Sequence, residues 1–388
     1  MARRASVSAN DVTVLIAGGG TAGHVLPGLA VAEALVASGV SRDRITWVGA
    51  LRGIETELVP AAGFSFVGLP GRGIQRRLTK ENLRSVAGLI AAMGRAAGVV
   101  RSLRPNVVLT LGGYASIGPA LAAAVTRVPI VVAEQNARAG AANRIMARFA
   151  TVSAVPFAAT DLPRSVVTGN PVRAEILDHR DDGPLERAAA RGALGWPTDR
   201  MVVAVFAGSL GSHRINQAVV GLVERWVDRS DVHVHHAVGR RDYDTLAVPT
   251  LSTGGPAGVG ATRIGYERVA YEERMDLVLA GCDVAVCRSG GTTVAELAIV
   301  GVPSILVPLP IATRDHQTAN AQPLRAAGAA VVVADAELDV GRLERELAPL
   351  LDDASRRSTM AAAAHGLGTP GAATAVAMLV LDACRVAP

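Results

Sequence analysis

The stretch VLIAGGGTAGHVLPGLA, residues 14–30, reads as an apolar strand that runs into Gly18-Gly19-Gly20-Thr21-Ala22-Gly23 and then into a helix. We expect the strand over Val12–Ala17 and the helix from near Leu26 or Pro27. A strand, a glycine loop and a helix make the opening half of a βαβ unit, and the spacing formally satisfies G-x-G-x-x-G. The same grammar returns at VVAVFAGSLGSHRIN, residues 202–216. Around these two starts, short β-rich runs alternate with Ala/Leu-rich helical stretches: ITWVGA, NVVLTLGG, IVVAEQ, then DVHVHHAVG, DVAVCRSGG, PSILVPLP and AAVVVAD. Such alternation signals parallel sheets. The fold class is therefore α/β, with two doubly wound domains.

A chain of 388 residues, half of them hydrophobic, can build a core in each domain. The Gly-, Pro- and charge-rich segment 166–200 reads as a linker, with the boundary near Gly169. The domains are then 1–168 and 169–369, followed by a last apolar helix within 370–388 whose docking the pattern leaves open.

No run of 18 uncharged apolar residues occurs, and the N-terminus MARRASVSAN lacks an apolar core segment. Neither a spanning helix nor a secretory signal is expected, so the chain should remain in the cytoplasm. Cys282, Cys287 and Cys384 form no C-x-x-C, and the first two read as opposite faces of one strand. The net charge of +5 is carried by arginine, with Lys80 the one lysine, and 3% aromatics supply no stacking platform for single-stranded nucleic acid. Anionic lipid or phosphate-bearing substrates suit that balance better.

Four loops have the form of an anion cradle at the carboxyl end of a strand: 18–24, LTLGGYASIGP at 109–119, FAGSLGSHRIN at 206–216 and CRSGGTTVAEL at 287–297. A dinucleotide enzyme also needs an acid at the end of its second strand. ITWVGA instead runs into Leu51 and Arg52, and the nearest acid, Glu55, lies further into the loop. Arg52 could suit a 2′-phosphate, which keeps an NADP-dependent oxidoreductase as an alternative. Glu296 follows SGGTT on a helix, where a carboxylate can take both ribose hydroxyls of a nucleotide while the Thr292 and Thr293 amides face its phosphates. The bland alternative is that Glu296 only complements the helix dipole. His24 follows the first loop at a helix start, whose positive end favours the neutral imidazole that a general base requires; equally, it could simply hydrogen-bond the loop. Glu134, Gln135 and Asn136 stand at a strand end, a place for polar groups aimed at hydroxyls or an amide, unless Asn136 merely caps a helix.

GGTAGHVLPGLA, LGGYASIGP, EQNARAGAANR, TGNPVR, AGSLGSHRIN, CRSGGTTVAEL and DHQTANA, in this order, resemble the MurG family of bacterial N-acetylglucosaminyltransferases, within glycosyltransferase family 28. The resemblance implies a GT-B fold, two Rossmann-like domains around a cleft, with the last helix crossing back to the first. It implies an inverting transfer from UDP-N-acetylglucosamine to an undecaprenyl-pyrophosphoryl muramyl-pentapeptide, lipid I to lipid II. His24 and Asn136 match the family's catalytic and positioning residues. Gly20, Thr21, Gly23, Gly112, Gly113 and Tyr114 fall on the acceptor side, the first loop holding the pyrophosphate. Arg173, Ser209, Gly211, Gly291, Thr292, Thr293 and Glu296 match the donor site, and Gln317 with Asn320 its sugar contacts. Tyr271 and Met275 belong to YEERM, which replaces a more apolar segment that clasps uracil, so that Glu272 is a departure. No cofactor and no metal is expected: no D-x-D triad stands at a strand end, and Arg180-Asp181-Asp182 lies in the linker. The implied setting is the cytoplasmic side of the membrane, with further cell-wall synthesis enzymes as partners. Segment 71–105 mixes Arg72, Arg76, Arg77, Lys80 and Arg84 with Ile74, Leu78, Leu83, Leu89 and Ile90, as a surface on anionic lipid would. A UDP-sugar 2-epimerase of the same fold and a non-catalytic nucleotide-sugar-binding membrane scaffold are the other readings.

Overall fold

The structure, a computed structural model, describes residues 9–70, 93–249 and 263–385. The chain divides into two compact units, Met1–Arg173 with Thr369–Pro388, and Ala174–Gly368. Each unit is a parallel sheet flanked by helices.

The first sheet comprises β1 (Val14–Gly18), β2 (Ile45–Ala50), β3 (Ser65–Leu69), β4 (Val107–Gly112), β5 (Ile130–Ala133), β6 (Val152–Val155) and β7 (Ser165–Val167). Its order is β3-β2-β1-β4-β5-β6-β7, every pair parallel. The central strands β1 and β4 are buried along their whole length, as continuous apolar runs covered on both faces must be. The helix Ala22–Ala37 lays Val25, Gly28, Val31, Ala32 and Leu35 against the sheet. It begins at Ala22, earlier than the sequence suggests, so His24 lies inside its first turn. Pro27 does not delay it: it is the helix's sixth residue and lies inside it, where its missing N–H leaves one backbone bond unmade. Gly28 lets the helix come close, since a methyl there would run into Leu111 and Trp47. Trp47 is fully buried and its Nε1–H donates to the Gly18 carbonyl at 2.8 Å, which fixes the root of the first glycine loop. The last helix, Ala372–Arg385, belongs to this unit and buries Val376, Ala377, Val380 and Ala383 in the core of Ile16, Leu109 and Val131.

The second sheet comprises β8 (Met201–Phe206), β9 (Val232–Ala237), β10 (Gly265–Val269), β11 (Val284–Cys287), β12 (Ser304–Leu306) and β13 (Ala330–Val332). Its order, β10-β9-β8-β11-β12-β13, repeats the first plan, again all parallel. The amphipathic helices His213–Arg225 and Val340–Asp352 close one core with Ile215, Val219, Leu343 and Leu347.

Two sequence expectations change. Segment 166–200 is not an open linker: it carries β7 and the helices Ala174–Leu177 and Pro184–Leu194. Arg191, 5% exposed, holds it down by pairing with Asp283 at 2.7 Å and donating to the Gly281 and Arg200 carbonyls. Its charges, read as solvated, are partly a fastener. Cys282 does not share a strand with Cys287 either; it ends the helix Met275–Gly281, and only Cys287 lies on β11. Both thiols are buried, and burial pushes Cys282 up to about 12.

Strand β9, VHVHHA, is buried at every position and carries three histidines. Burial lowers His233 to about 4 and His236 to about 3. His236 sits between Asn216 Oδ1 at 3.0 Å and the Tyr266 hydroxyl at 3.1 Å. Both groups have folded values below the ordinary imidazole value of about 6.5. The unfolded chain therefore binds protons first, and the stability held above that pH is lost as pH falls toward 4. Urea unfolding of the full chain should weaken between pH 7 and pH 5 by up to roughly 1.4 kcal/mol per histidine per pH unit below about 6.5. Replacing both with Gln should flatten that slope; an unchanged slope would remove the histidines as its source.

Candidate functional site

In each sheet the strand order reverses once, between β1 and β4 and between β8 and β11. Ligands of doubly wound sheets bind outside the carboxyl ends of the strands at such a reversal. The four glycine loops picked out in the sequence are the four loops that flank these two points.

In the first unit the loops after β1 and β4 touch backbone to backbone. A side chain at Gly18 would meet the Gly112 carbonyl at 2.9 Å, and one at Gly113 the Gly19 carbonyl at 3.0 Å. Thr21 precedes the helix Ala22–Ala37, and its Oγ1 lies 3.1 Å from His24 Nδ1. Gly20, Thr21, Gly23 and His24 thus surround one helix start, while Gly112, Gly113 and Tyr114 stand on the adjoining loop. The Tyr114 hydroxyl donates to the Pro70 carbonyl at 2.7 Å, and burial raises its pKa.

Two carboxylates organise this end of the sheet, Glu55, left without a role in the sequence, and Glu134, read there as a ligand group. Glu55 is 0% exposed: Oε2 accepts the Gly20 N–H and Oε1 the Ala50 N–H, each at 2.8 Å. It cannot serve as a dinucleotide's ribose acid, because backbone amides fill it and no solvent reaches it. Glu134 is buried at the end of β5. Its Oε1 takes the Gln135 and Asn136 amides and the Asn136 side chain, all at 3.0 Å. Its Oε2 takes the Gly140 amide at 3.0 Å and Asn143 Nδ2 at 2.9 Å. Glu134 and Gln135, read as ligand groups, face inward, since five donors are cheaper to satisfy from within than to strand. Asn136, half-buried, is the member of the trio at the surface, and Gly140, not Asn136, caps the following helix.

In the second unit the loop after β8 carries exposed Ser209 and half-buried Gly211 ahead of the helix His213–Arg225. Its cap, Ser212, accepts the Ile215 N–H. The loop after β11 leads into the helix Gly291–Val300, with Thr292 and Thr293 half-buried on its first turn. Glu296, 8% exposed, is the sixth residue of that helix. That lies beyond the first turn, where a helix dipole acts, so dipole complementation explains it poorly. Arg288, missed in the sequence, ties the loops together. It donates to Ser212 Oγ at 2.6 Å, to the Val307 and Pro308 carbonyls at 3.0 and 3.1 Å, and pairs with Asp335 at 2.7 Å. The available signal was an arginine ending an otherwise apolar strand.

Gln317 and Asn320 stand on the helix His316–Ala326. Gln317 Oε1 accepts the Leu309 N–H at 2.9 Å. Asn320 is 0% exposed and its Nδ2 donates to the Ser289 carbonyl at 3.1 Å, which makes it a support for the loop after β11. Tyr271 is exposed and lies under the Arg240 guanidinium at 4.6 Å, while Met275 opens the helix Met275–Gly281. Glu272 turns inward: Oε1 accepts the Arg274 N–H at 2.8 Å and Oε2 lies 3.2 Å from His235 Nε2. His235 Nδ1 in turn lies 3.1 Å from Glu267, so the acidic departure at this loop is absorbed within the protein. Arg173 is the last residue of the first unit's main segment. The basic and apolar residues named between Arg72 and Ile90 lie outside the described residues, and no helix among the described residues is long and apolar enough to cross a membrane.

Residues 14–155 match the glycosyltransferase family 28 N-terminal domain, and residues 202–376 the family's C-terminal domain. An enzyme of Desulforudis audaxviator named UDP-N-acetylglucosamine–N-acetylmuramyl-(pentapeptide) pyrophosphoryl-undecaprenol N-acetylglucosamine transferase is 38% identical, over 92% of this chain and 95% of that protein. The proteins of that name from Mycobacterium sp. (strain JLS) and Mycolicibacterium smegmatis are 40% and 39% identical, over 97% and 98% of this chain and 97% and 96% of theirs. The crystal structure of Acinetobacter baumannii MurG superposes with a TM-score of 0.70 at 26% identity, over 95% of this chain and 99% of that one. A UDP-GlcNAc 2-epimerase from Neisseria meningitidis has a TM-score of 0.65 at 12% identity, over 95% and 99%, a likeness of fold alone. The chain belongs to glycosyltransferase family 28, as a member of its MurG family.

Proposed function

We propose that the chain transfers N-acetylglucosamine from UDP-N-acetylglucosamine to undecaprenyl-pyrophosphoryl-N-acetylmuramyl-pentapeptide, converting lipid I to lipid II in peptidoglycan synthesis. The observation that carries this reading is the near-full-length identity to transferases of that name, across both glycine-loop units.

The second unit takes the donor. The helix starts at His213 and Gly291 offer backbone N–H groups and a positive dipole end to the diphosphate, with Ser209, Gly211, Thr292 and Thr293 lining it and Arg173 adding charge. Glu296 accepts the ribose hydroxyls, Gln317 meets the sugar with Asn320 behind it, and the Tyr271–Met275 segment receives uracil. The first unit takes the acceptor at Gly20, Thr21, Gly23, Gly112, Gly113 and Tyr114, with Asn136 positioning it. His24 is the base. If its Nδ1–H donates to Thr21 Oγ1, Nε2 is the atom that takes the proton from the attacking sugar hydroxyl. That oxygen forms a bond to the anomeric carbon as the carbon–diphosphate bond breaks on the opposite face, so one displacement inverts the centre. The negative charge leaves on UDP, where the helix starts stabilise it.

UDP release from UDP-N-acetylglucosamine should depend on a short-chain lipid-linked muramyl-pentapeptide. Release without acceptor, or tight UDP binding with no release, would favour the epimerase or scaffold reading. His24→Ala should lower kcat about 10²–10⁴-fold while calorimetric UDP affinity stays the same. Equal losses in both would contradict the base role.

Glu296→Ala should weaken UDP binding roughly 10–100-fold, the worth of a charge-assisted hydrogen-bond pair to the ribose. It should weaken 2′,3′-dideoxy-UDP hardly at all; an equal loss for both nucleotides would place the carboxylate elsewhere.

The enzyme works as a peripheral protein on the cytoplasmic face of the membrane, where its acceptor's lipid resides. Support comes from the cationic and apolar mixture of segment 71–105. Removing Arg76 and Arg77 should reduce sedimentation with anionic liposomes in low salt, and unchanged binding would exclude this segment as the contact.

A further inference from the structure

Glu55 is fully buried, yet its carboxylate lies directly beneath the loop that leads to His24. Oε2 accepts the Gly20 N–H and Oε1 the Ala50 N–H, both at 2.8 Å. The surrounding glycines are shaped around it: a methyl at Gly19 or Gly53 would run into the carboxylate, and one at Gly49 would meet Glu55 Cγ at 2.6 Å. Gly18, Gly19 and Gly20 have φ of +150°, +153° and +91°, a backbone path open to glycine and rarely to other residues. The next residue, Thr21, is where the helix begins and where His24 Nδ1 finds its 3.1 Å partner.

We infer that Glu55 is a positioning residue for the transfer reaction, clamping the first glycine loop so that Thr21 and His24 stand in register with the acceptor hydroxyl. This rests on the acceptor-side reading given above. The clamp has a second consequence. The Gly20 amide is already committed to the Glu55 carboxyl oxygen, so it does not serve a phosphate on this loop. Of the acceptor, Gly20 then faces the sugar's hydroxyl end beside His24, and the pyrophosphate is directed toward the helix start and the Gly112–Gly113 loop.

Glu55→Gln replaces one acceptor oxygen by an amide donor that faces a backbone N–H, at nearly constant volume. Gly53→Ala displaces the carboxylate from behind without altering the first loop or Glu55 itself. Each variant, in the full chain, should keep the wild-type calorimetric affinity for UDP and the wild-type KM for UDP-N-acetylglucosamine. Each should lower kcat about tenfold or more in acceptor-dependent UDP release, the cost of a slightly misplaced base. In a His24→Ala background the same substitutions should cost less than about twofold, because the clamp acts through His24. Unchanged kcat in both single variants, or a full additional loss in the His24→Ala background, would overturn the assignment. If wild-type protein shows no acceptor-dependent release, the functional reading falls and this inference falls with it. If wild type is active and the variants match it, only the clamp is wrong.

Discussion

The rest of the structure depends on one constraint: in a sheet of parallel strands, the order can reverse only where two neighbouring strands send their connections to opposite faces. At that point the two following loops separate and leave a crevice lined by backbone amides and helix starts. The chain meets this constraint twice, at β1/β4 and β8/β11, with the same strand order in both units. Glycines gather there because the paired loops must approach main chain to main chain, as Gly18 and Gly113 do against Gly112 and Gly19. His24, Thr292, Thr293 and Glu296, four of the candidate site residues, follow from those positions, each a short distance beyond a glycine loop on the first turns of a helix.

Much of this was legible in the sequence, for a physical reason. All nine apolar runs named at the outset are strands, because a strand covered on both faces must be apolar throughout. The four strands that were not singled out, β3, β6, β7 and β10, do not follow that rule. Strand β7 is exposed at each residue, and β10, GYERV, is mostly half-buried and charged. Both are edge strands. Strand β3, SFVGL, is likewise an edge strand, exposed at its first residue, and Ser153 interrupts the apolar run of β6. Segment 166–200 misled for a related reason: composition reports charge, whereas only packing reveals that Arg191 is sealed against Asp283.

At the site, sequence named the residues that stand on the loops and missed those beneath them. His24, Thr292, Thr293 and Glu296 could be found by their offset from a glycine loop. The structural roles of Glu55, Glu134 and Arg288 could not, although Glu134 was noticed as a polar group at a strand end, because their partners are main-chain groups brought near by folding: Gly20 and Ala50, Gly140, Val307 and Pro308. A buried charge with several fixed donors or acceptors holds a loop in one shape. Asn320 shows the complement: the motif gives its position, and the structure adds that its Nδ2 supports the Ser289 carbonyl.

The two units share a plan but not an electrostatic design. In the second unit, the helices at His213 and Gly291 are headed by a serine hydroxyl and a glycine, so among the described residues no carboxylate occupies their caps. In the first, a buried carboxylate already takes an amide of the loop before the helix. A leaving nucleoside diphosphate gains negative charge as its bond to the sugar breaks, and helix starts with no carboxylate at their caps are suited to receive it. An attacking hydroxyl must instead lose a proton to an imidazole, which becomes cationic as it does so. Under the proposed function the Glu55 carboxyl group, by holding the Gly20 amide, keeps that amide for the loop that leads to the base and not for a phosphate. Under the proposed function, the duplicated fold would therefore set a buried carboxyl group behind the loop that leads to the base, and helix starts without a capping carboxylate at the donor's diphosphate.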